Sequence, residues 1–308
     1  MKTALDLRAV LTLIVLCGSW GLNQVAIKVG LWGIPPALQM GARSAVAALL
    51  VFGWCALRGR KLFEPDGSLW PGLGAGLLFG AEFLAIFWGL QYTTAARAVI
   101  FIYLTPFIVA LGAYFLLGEP LGLRKLVGLV LAFVGLVLAF FDELSLPSRD
   151  ALFGDALCIL AAVLWGATTV LIKGSVLREV SAEKTLLYQL AVSALFGLAL
   201  SVLIGEQLDP ALAIAVVPAF LYQAIWVAAI TYVAWFALIR DYPASLLSSF
   251  TFLTPLFGVA FGAGLLGEPL SPRLIAALVL VAAGIYLVNR PARTARRTRA
   301  READADVV

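Results

Sequence analysis

Two ionisable side chains, Arg43 and Glu82, fall deep inside apolar stretches of the chain. A charge at the centre of a membrane-spanning helix costs roughly 2.5–3.5 kcal/mol on insertion scales, so each is a candidate for function. Apolar helices over 35–57 and 70–91 put Arg43 about 12 Å and Glu82 about 13 Å from the same membrane face, at 1.5 Å per residue. Equal depth on consecutive antiparallel helices predicts an ion pair. Two roles are open to it, a neutralising strut and a proton-coupling element, and Glu82 also ranks among the substrate-binding candidates.

Aromatic residues offer a second kind of chemistry. Trp20 and Trp165 stand at mid-helix, away from the headgroup level where tryptophans usually gather. Their indole N–H groups need partners, and Asn23, Gln24, Thr168 and Thr169 lie three to four residues on. Aromatic walls with a few polar donors suit an amphipathic ligand. Pro106 and Pro255 interrupt two further apolar helices and free the carbonyls of Ile102 and Thr251, which marks them as hinges. The walls beside them carry Tyr103 and Val99 in one copy, and Phe252 and Ser248 in the other.

Other chemistries are excluded. The chain has no His, which removes His-based acid–base catalysis and HExxH zinc chemistry. Cys17, Cys55 and Cys158 sit in apolar runs without CxxC spacing, so they read as packing residues. No metal, no cofactor and no enzymatic activity is expected.

The elements that position these residues follow from composition. Of 308 residues, 62% are apolar and 13% charged, with a mean hydropathy of +1.00. A soluble domain is about 25% charged. A spanning helix needs about 20 mostly apolar residues. Apolar runs bounded by charge, Pro or Gly predict ten helices, at 8–29, 35–57, 70–91, 94–117, 123–141, 152–173, 183–204, 211–238, 244–266 and 272–289. Lys28, Arg97, Arg149 and Arg273 fall on one side, Arg43 lies within a span, and the other Lys and Arg share the side of both termini. That bias predicts cytoplasmic termini in a bacterial inner membrane. Six arginines from Arg290 to Arg301 suit anionic lipid headgroups rather than nucleic acid.

The chain is written twice. Leu104-Thr105-Pro106 recurs as Leu253-Thr254-Pro255, and Leu117-Gly118-Glu119-Pro120 recurs as Leu266-Gly267-Glu268-Pro269, both at an offset of 149. Trp20-Gly21 and Lys28 recur as Trp165-Gly166 and Lys173 at an offset of 145. Five spans per copy put the second copy upside down, the inverted repeat common in secondary transporters. The expected fold is therefore an all-α membrane protein of ten helices in two inverted five-helix repeats. Its expected divisions are 1–148, 149–290 and a disordered cytoplasmic tail over 291–308. Gly72, Gly76 and Gly80 form a small-residue stripe for helix packing, and the Gly-Glu-Pro segments read as turns.

Ten spans, the Trp-Gly pairs and the Pro and Gly-Glu-Pro of each fourth helix resemble the drug/metabolite transporter superfamily, with two EamA-type repeats over about residues 8–290. The chain looks most like the YddG-like branch. That resemblance implies export of aromatic and other hydrophobic amino acids by alternating access. The implied partners are amino-acid substrates and membrane lipids, in a monomer without nucleic acid. A sugar-phosphate, nucleotide-sugar or drug exporter and a lipid flippase stand as alternatives. A dianionic substrate would call for a midplane cluster of Lys and Arg, which the sequence lacks.

Overall fold

The computed structural model describes residues 5–141, 144, 148–266 and 272–290. The side chains of residues 24, 28, 90, 91, 95, 96, 262–266 and 272 are outside that description, so the Gln24 candidate lies outside the described residues. The expected tail over 291–308 and the second Gly-Glu-Pro segment are also outside it.

Among the described residues every regular element is helical. The first half comprises α1 (Leu7–Gly30), α2 (Pro36–Leu57), α3 (Leu69–Tyr92), α4 (Ala95–Ile102), α5 (Thr105–Leu117) and α6 (Leu123–Ala139). The second comprises α7 (Arg149–Gly174), α8 (Ala182–Leu203), α9 (Pro210–Ala215), α10 (Val217–Leu221), α11 (Tyr232–Asp241), α12 (Ala244–Phe250), α13 (Leu253–Leu266) and α14 (Pro272–Asn289). α4 and α5 form one rod, as do α12 and α13. The stretch from α9 to α11 forms another, giving ten rods. Eight are long and apolar enough to cross a membrane. The other two, α6 with 17 residues and α14 with 18, are shorter apolar helices.

Packing obeys the repeat. α1 lies against α13, and its counterpart α7 lies against α5. The pairs α2–α8 and α6–α14 each join a helix to its own repeat equivalent. Glycines set these approaches. A Cβ on Gly21 would lie 2.7 Å from the Gly258 nitrogen, and one on Gly166 would lie 2.6 Å from Ile108 Cγ2. The Trp-Gly pair is thus a crossing point: the glycine admits the neighbouring helix, and the tryptophan beside it turns to the interior. At the α6–α14 seam, a Cβ on Gly284 would meet the Gly128 oxygen at 2.5 Å, and one on Gly135 would meet the Ala277 oxygen at 2.9 Å. The stripe on α3 is also a packing feature, since Cβ atoms on Gly72 and Gly76 would collide with Tyr188 and Val192 of α8.

The eighth rod departs from expectation. In place of one α-helix over 211–238, it runs through α9 and α10 into a ten-residue π-helix, Tyr222–Thr231, before α11. Its equivalent in the first half, α3, is an unbroken helix of 24 residues. π-Helical turns concentrate at functional sites. The Gln223 side chain, at the start of the π-helix, ties it to the first half: its Nε2 donates to the Ala26 carbonyl at 2.9 Å, and its Oε1 accepts from Gln39 Nε2 at 3.0 Å.

Acidic side chains clasp the rods together at both membrane faces. On the face bearing the N-terminus, Asp66 Oδ2 accepts from Lys184 Nζ at 2.7 Å. On the same face Gly118 takes a left-handed φ of 68° to end α5. The next residue, Glu119, then accepts from the Ala244 nitrogen at 2.8 Å and from Ser245 Oγ. On the opposite face Glu206 accepts from the nitrogens of Ala37 and Leu38, and Asp155 pairs with Arg97. Carboxylates at helix N-termini satisfy donors that the helix itself leaves open. The Gly-Glu-Pro turn thus has a second duty, binding the fourth rod to the ninth.

Candidate functional site

The helices do break at the two prolines, two to three residues before the ring itself. α4 ends at Ile102 and α5 begins at Thr105, with Pro106 in its first turn. Proline is tolerated there because its missing N–H would be unpaired anyway. The carbonyl of Ile102 accepts from Thr105 Oγ1 at 2.7 Å. In the second copy the carbonyl of Thr251 accepts from the Thr254 nitrogen at 3.0 Å. Tyr103 and Phe252 occupy the two breaks, and both are buried, as is Ser248; Val99 is half-buried.

Trp20 differs from expectation in its partner. Its Nε1 donates to Thr231 Oγ1 at 2.9 Å, across to the last residue of the π-helix rather than along its own helix. Thr168 and Thr169 likewise do not serve Trp165, since they donate to the carbonyls of Leu164 and Trp165 in their own helix. Asn23 is buried, with Oδ1 unpaired.

Around Trp20 an aromatic series runs between the halves. Trp20 meets Trp235 edge-on at 5.3 Å and Tyr232 at 6.0 Å. Tyr232 meets Phe79 at 6.0 Å, and Phe79 meets Phe83 at 4.9 Å. The Arg43 guanidinium lies 4.5 Å above the Phe83 ring, a cation–π contact. A second group joins Tyr103 to Trp165 at 6.0 Å, and a third joins Phe107, Phe133 and Phe252. The two tryptophans therefore stand in separate aromatic groups.

The predicted ion pair is not made. Among the described residues no carboxylate comes within 4 Å of Arg43, although Glu82 and the Tyr232 hydroxyl are near enough to act on it electrostatically. Equal depth was the basis of the expectation, but depth leaves rotation about the helix axis free. Here the guanidinium is turned onto Phe83. Arg43 is 1% exposed and Glu82 is 6% exposed, and Nε and Nη2 of Arg43 have no hydrogen-bond partner.

Phe79, Phe83, Thr231 and Trp235 join the group without having been singled out in the sequence, whereas Tyr232 was among its weaker aromatic candidates. Phe79 and Phe83 had a signal, since their i, i+4 spacing brackets Glu82 on one helix. Thr231 had none, because its partner is 211 residues away.

Residues 7–141 and 152–290 each match the EamA-like transporter family. The chain belongs to the EamA-like transporter family. As an EamA-like transporter it is a multi-pass membrane protein and not an enzyme. It is 30% identical to a probable amino-acid metabolite efflux pump of Salmonella typhimurium, over 87% of this chain and 90% of that one. It is 27% identical to an uncharacterized transporter, YoaV, of Bacillus subtilis, over 87% of this chain and 92% of that one. One crystal structure shares the fold with a TM-score of 0.75 at 21% identity, covering 90% of this chain and 96% of that one. The EamA-like repeat thus accounts for both halves of the molecule.

Proposed function

We propose that this transporter exports amino acids with aromatic and other hydrophobic side chains across the bacterial cytoplasmic membrane by alternating access. The observation that carries the reading is the aromatic series from Trp20 to Phe83, which lies between the two repeats and ends beside a buried carboxylate. Aromatic rings hold the substrate side chain, and Glu82 attracts its ammonium group. Asn23 supplies an open acceptor. Val99, Tyr103, Trp165, Thr168, Ser248 and Phe252 line the same path at and beside the two breaks. The probable amino-acid efflux pumps among its relatives support the substrate class.

Two halves related by inversion can exchange shapes, opening the site to each side in turn. The breaks at Pro106 and Pro255 are the hinges of that exchange. The division falls near residue 148, and both termini face the cytoplasm, following the Lys and Arg bias. Counterflow of labelled amino acids in proteoliposomes tests the function. L-Phenylalanine and L-leucine should exchange, whereas a hexose phosphate should not. Exchange of the phosphate alone would replace this reading by its sugar-phosphate rival. Single cysteines at Glu64 and Ser148, in a background lacking the three native ones, test the orientation: Glu64 should label from the cytoplasm and Ser148 from outside.

A further inference from the structure

Arg43 is the residue that the reading so far leaves without a task. It is fully charged in any ordinary environment. The residue is 1% exposed, its Nε and Nη2 have no hydrogen-bond partner, and among the described residues no carboxylate lies within 4 Å. Phe83 shields one face of the fork. A buried charge without a hydrogen-bonded counterion is costly, and natural proteins keep such a group where an anion is to come.

The opposite half narrows the choice of anion. Arg43 corresponds to Gln189 at an offset of 146. Gln189 is completely buried, and both of its side-chain polar atoms are also unpaired. The hydroxyls of Ser44 and Ser193 meet at 3.1 Å and fix the antiparallel register of α2 and α8. Arg43 and Gln189 then lie on either side of that bond, about 7 Å apart along the helix axes. The region thus holds one fixed cation, one nearby carboxylate and one neutral amide. A single guanidinium balanced by Glu82 suits a monocarboxylate that also carries an ammonium group. It does not suit a dianionic phosphate, which calls for several cations.

We propose that Arg43 receives the α-carboxylate of the substrate through its open Nε and Nη2 donors, leaving Glu82 to hold the ammonium group. The two charges that fail to pair with one another are paired by the substrate. The Nε–Nη2 edge matches the two oxygens of a carboxylate side by side. The proposal rests on the amino-acid reading for its ligand, but it fails separately from that reading.

The test uses the full-length protein with three ligands of one shape: L-phenylalanine, phenethylamine (which lacks the carboxylate) and 3-phenylpropionate (which lacks the ammonium). Binding is followed by thermal shift, and transport by counterflow. The wild type should bind L-phenylalanine at least about tenfold more tightly than phenethylamine, the range expected for one charge-assisted hydrogen-bonded contact. Arg43→Gln should remove that preference while keeping affinity for the amine. Arg43→Lys, which keeps the charge and loses the fork, should retain part of it and guards against misfolding of the glutamine variant. Phenethylamine binding as tightly as L-phenylalanine, with amino-acid counterflow intact, would overturn the carboxylate site and keep the exporter. Binding of 3-phenylpropionate without amino-acid counterflow would keep the site and overturn the exporter reading. Binding of none of the three would overturn both.

Discussion

The two halves of the molecule agree where helices cross and disagree where a ligand would sit. The seam of α6 and α14 is built from the same positions twice, Gly128 against Gly284 and Ala277 against Gly135. Gly21 and Gly166 admit their crossing helices in the same manner, and both fourth rods break just before a proline. At mid-depth the correspondence ends. Arg43 faces the role that Gln189 has in the other half. Glu82 sits on an unbroken α3, whereas its counterpart rod contains the π-helix. Trp20 has the Thr231 hydroxyl, but at the corresponding offset of 148 the first half has Phe83. The proposed alternation would need a symmetric scaffold, since it exchanges two shapes. On the proposed reading the polar groups are asymmetric because one substrate molecule with two unlike ends has only one of each to offer.

The largest effect is expected where the halves agree. Gly284→Leu drives a side chain into the Gly128 oxygen and the Ala132 nitrogen, backbone atoms that cannot move aside. We expect destabilisation of about 3 kcal/mol or more and little folded protein by size-exclusion chromatography. Gly18→Leu is the control, since no atom lies within 4 Å of a Cβ there, and it should fold normally. Normal folding of Gly284→Leu would mean that the seam is loose and that its symmetry is without consequence.

Next comes the asymmetric centre. Glu82→Gln removes a carboxylate that no guanidinium touches, so folding should survive with a melting temperature within a few degrees of wild type. Amino-acid counterflow should fall by roughly ten- to a hundredfold, the worth of a contact to a charged group. A large drop in melting temperature with proportionate loss of transport would instead return Glu82 to a structural role.

Thr231→Val reaches the smaller contrast between the tryptophans. It is nearly isosteric and leaves the Trp20 N–H buried without its acceptor, at a cost of about 1–3 kcal/mol. Thr168→Val loses only a bond within its own helix and should change stability by less than about 0.5 kcal/mol. Equal effects in chemical denaturation would erase the distinction between the two sites.

These contrasts were unevenly legible in the residues. Periodic spacing of charge, Pro and Gly located the rods to within a few residues, and the repeated Leu-Thr-Pro located the breaks; that the glycine of each Trp-Gly pair marks a helix crossing is visible only in the fold. The π-helix left no trace, because a segment with only Gln223 and Thr231 among apolar and aromatic residues has too few polar positions to show a change of period when its pitch changes. The Trp20–Thr231 bond joins residues whose proximity depends on the whole fold. For Arg43 and Glu82 the depth was readable and the rotation was not: one coordinate of three places two charges at a level but does not bring them together.

The smallest effect belongs to the membrane faces, each of which has one carboxylate on backbone nitrogens and one on a cation. On one face Glu206 accepts from backbone nitrogens at the start of α2; on the other Asp66 pairs with Lys184, whose side chain is 6% exposed, at the start of α8. Donation from Lys184 and from the Ser68 hydroxyl and backbone lowers the Asp66 pKa to about 2, against about 3.9 for a free aspartate. A carboxyl with a depressed folded pKa adds stability that is complete above the unfolded value and is lost as pH falls through the folded one. Asp66 is 33% exposed, so solvent screening limits the pair to about 1 kcal/mol. Lys184→Met should therefore melt slightly below wild type at pH 7 and at pH 5. That gap should narrow from about pH 4 and close near pH 2. Glu206→Gln breaks the opposite clasp without touching this pair, so the Lys184→Met gap should keep the same pH profile in that background. A gap that stays constant down to pH 2 would assign the loss to packing of the lysine stem rather than to its charge.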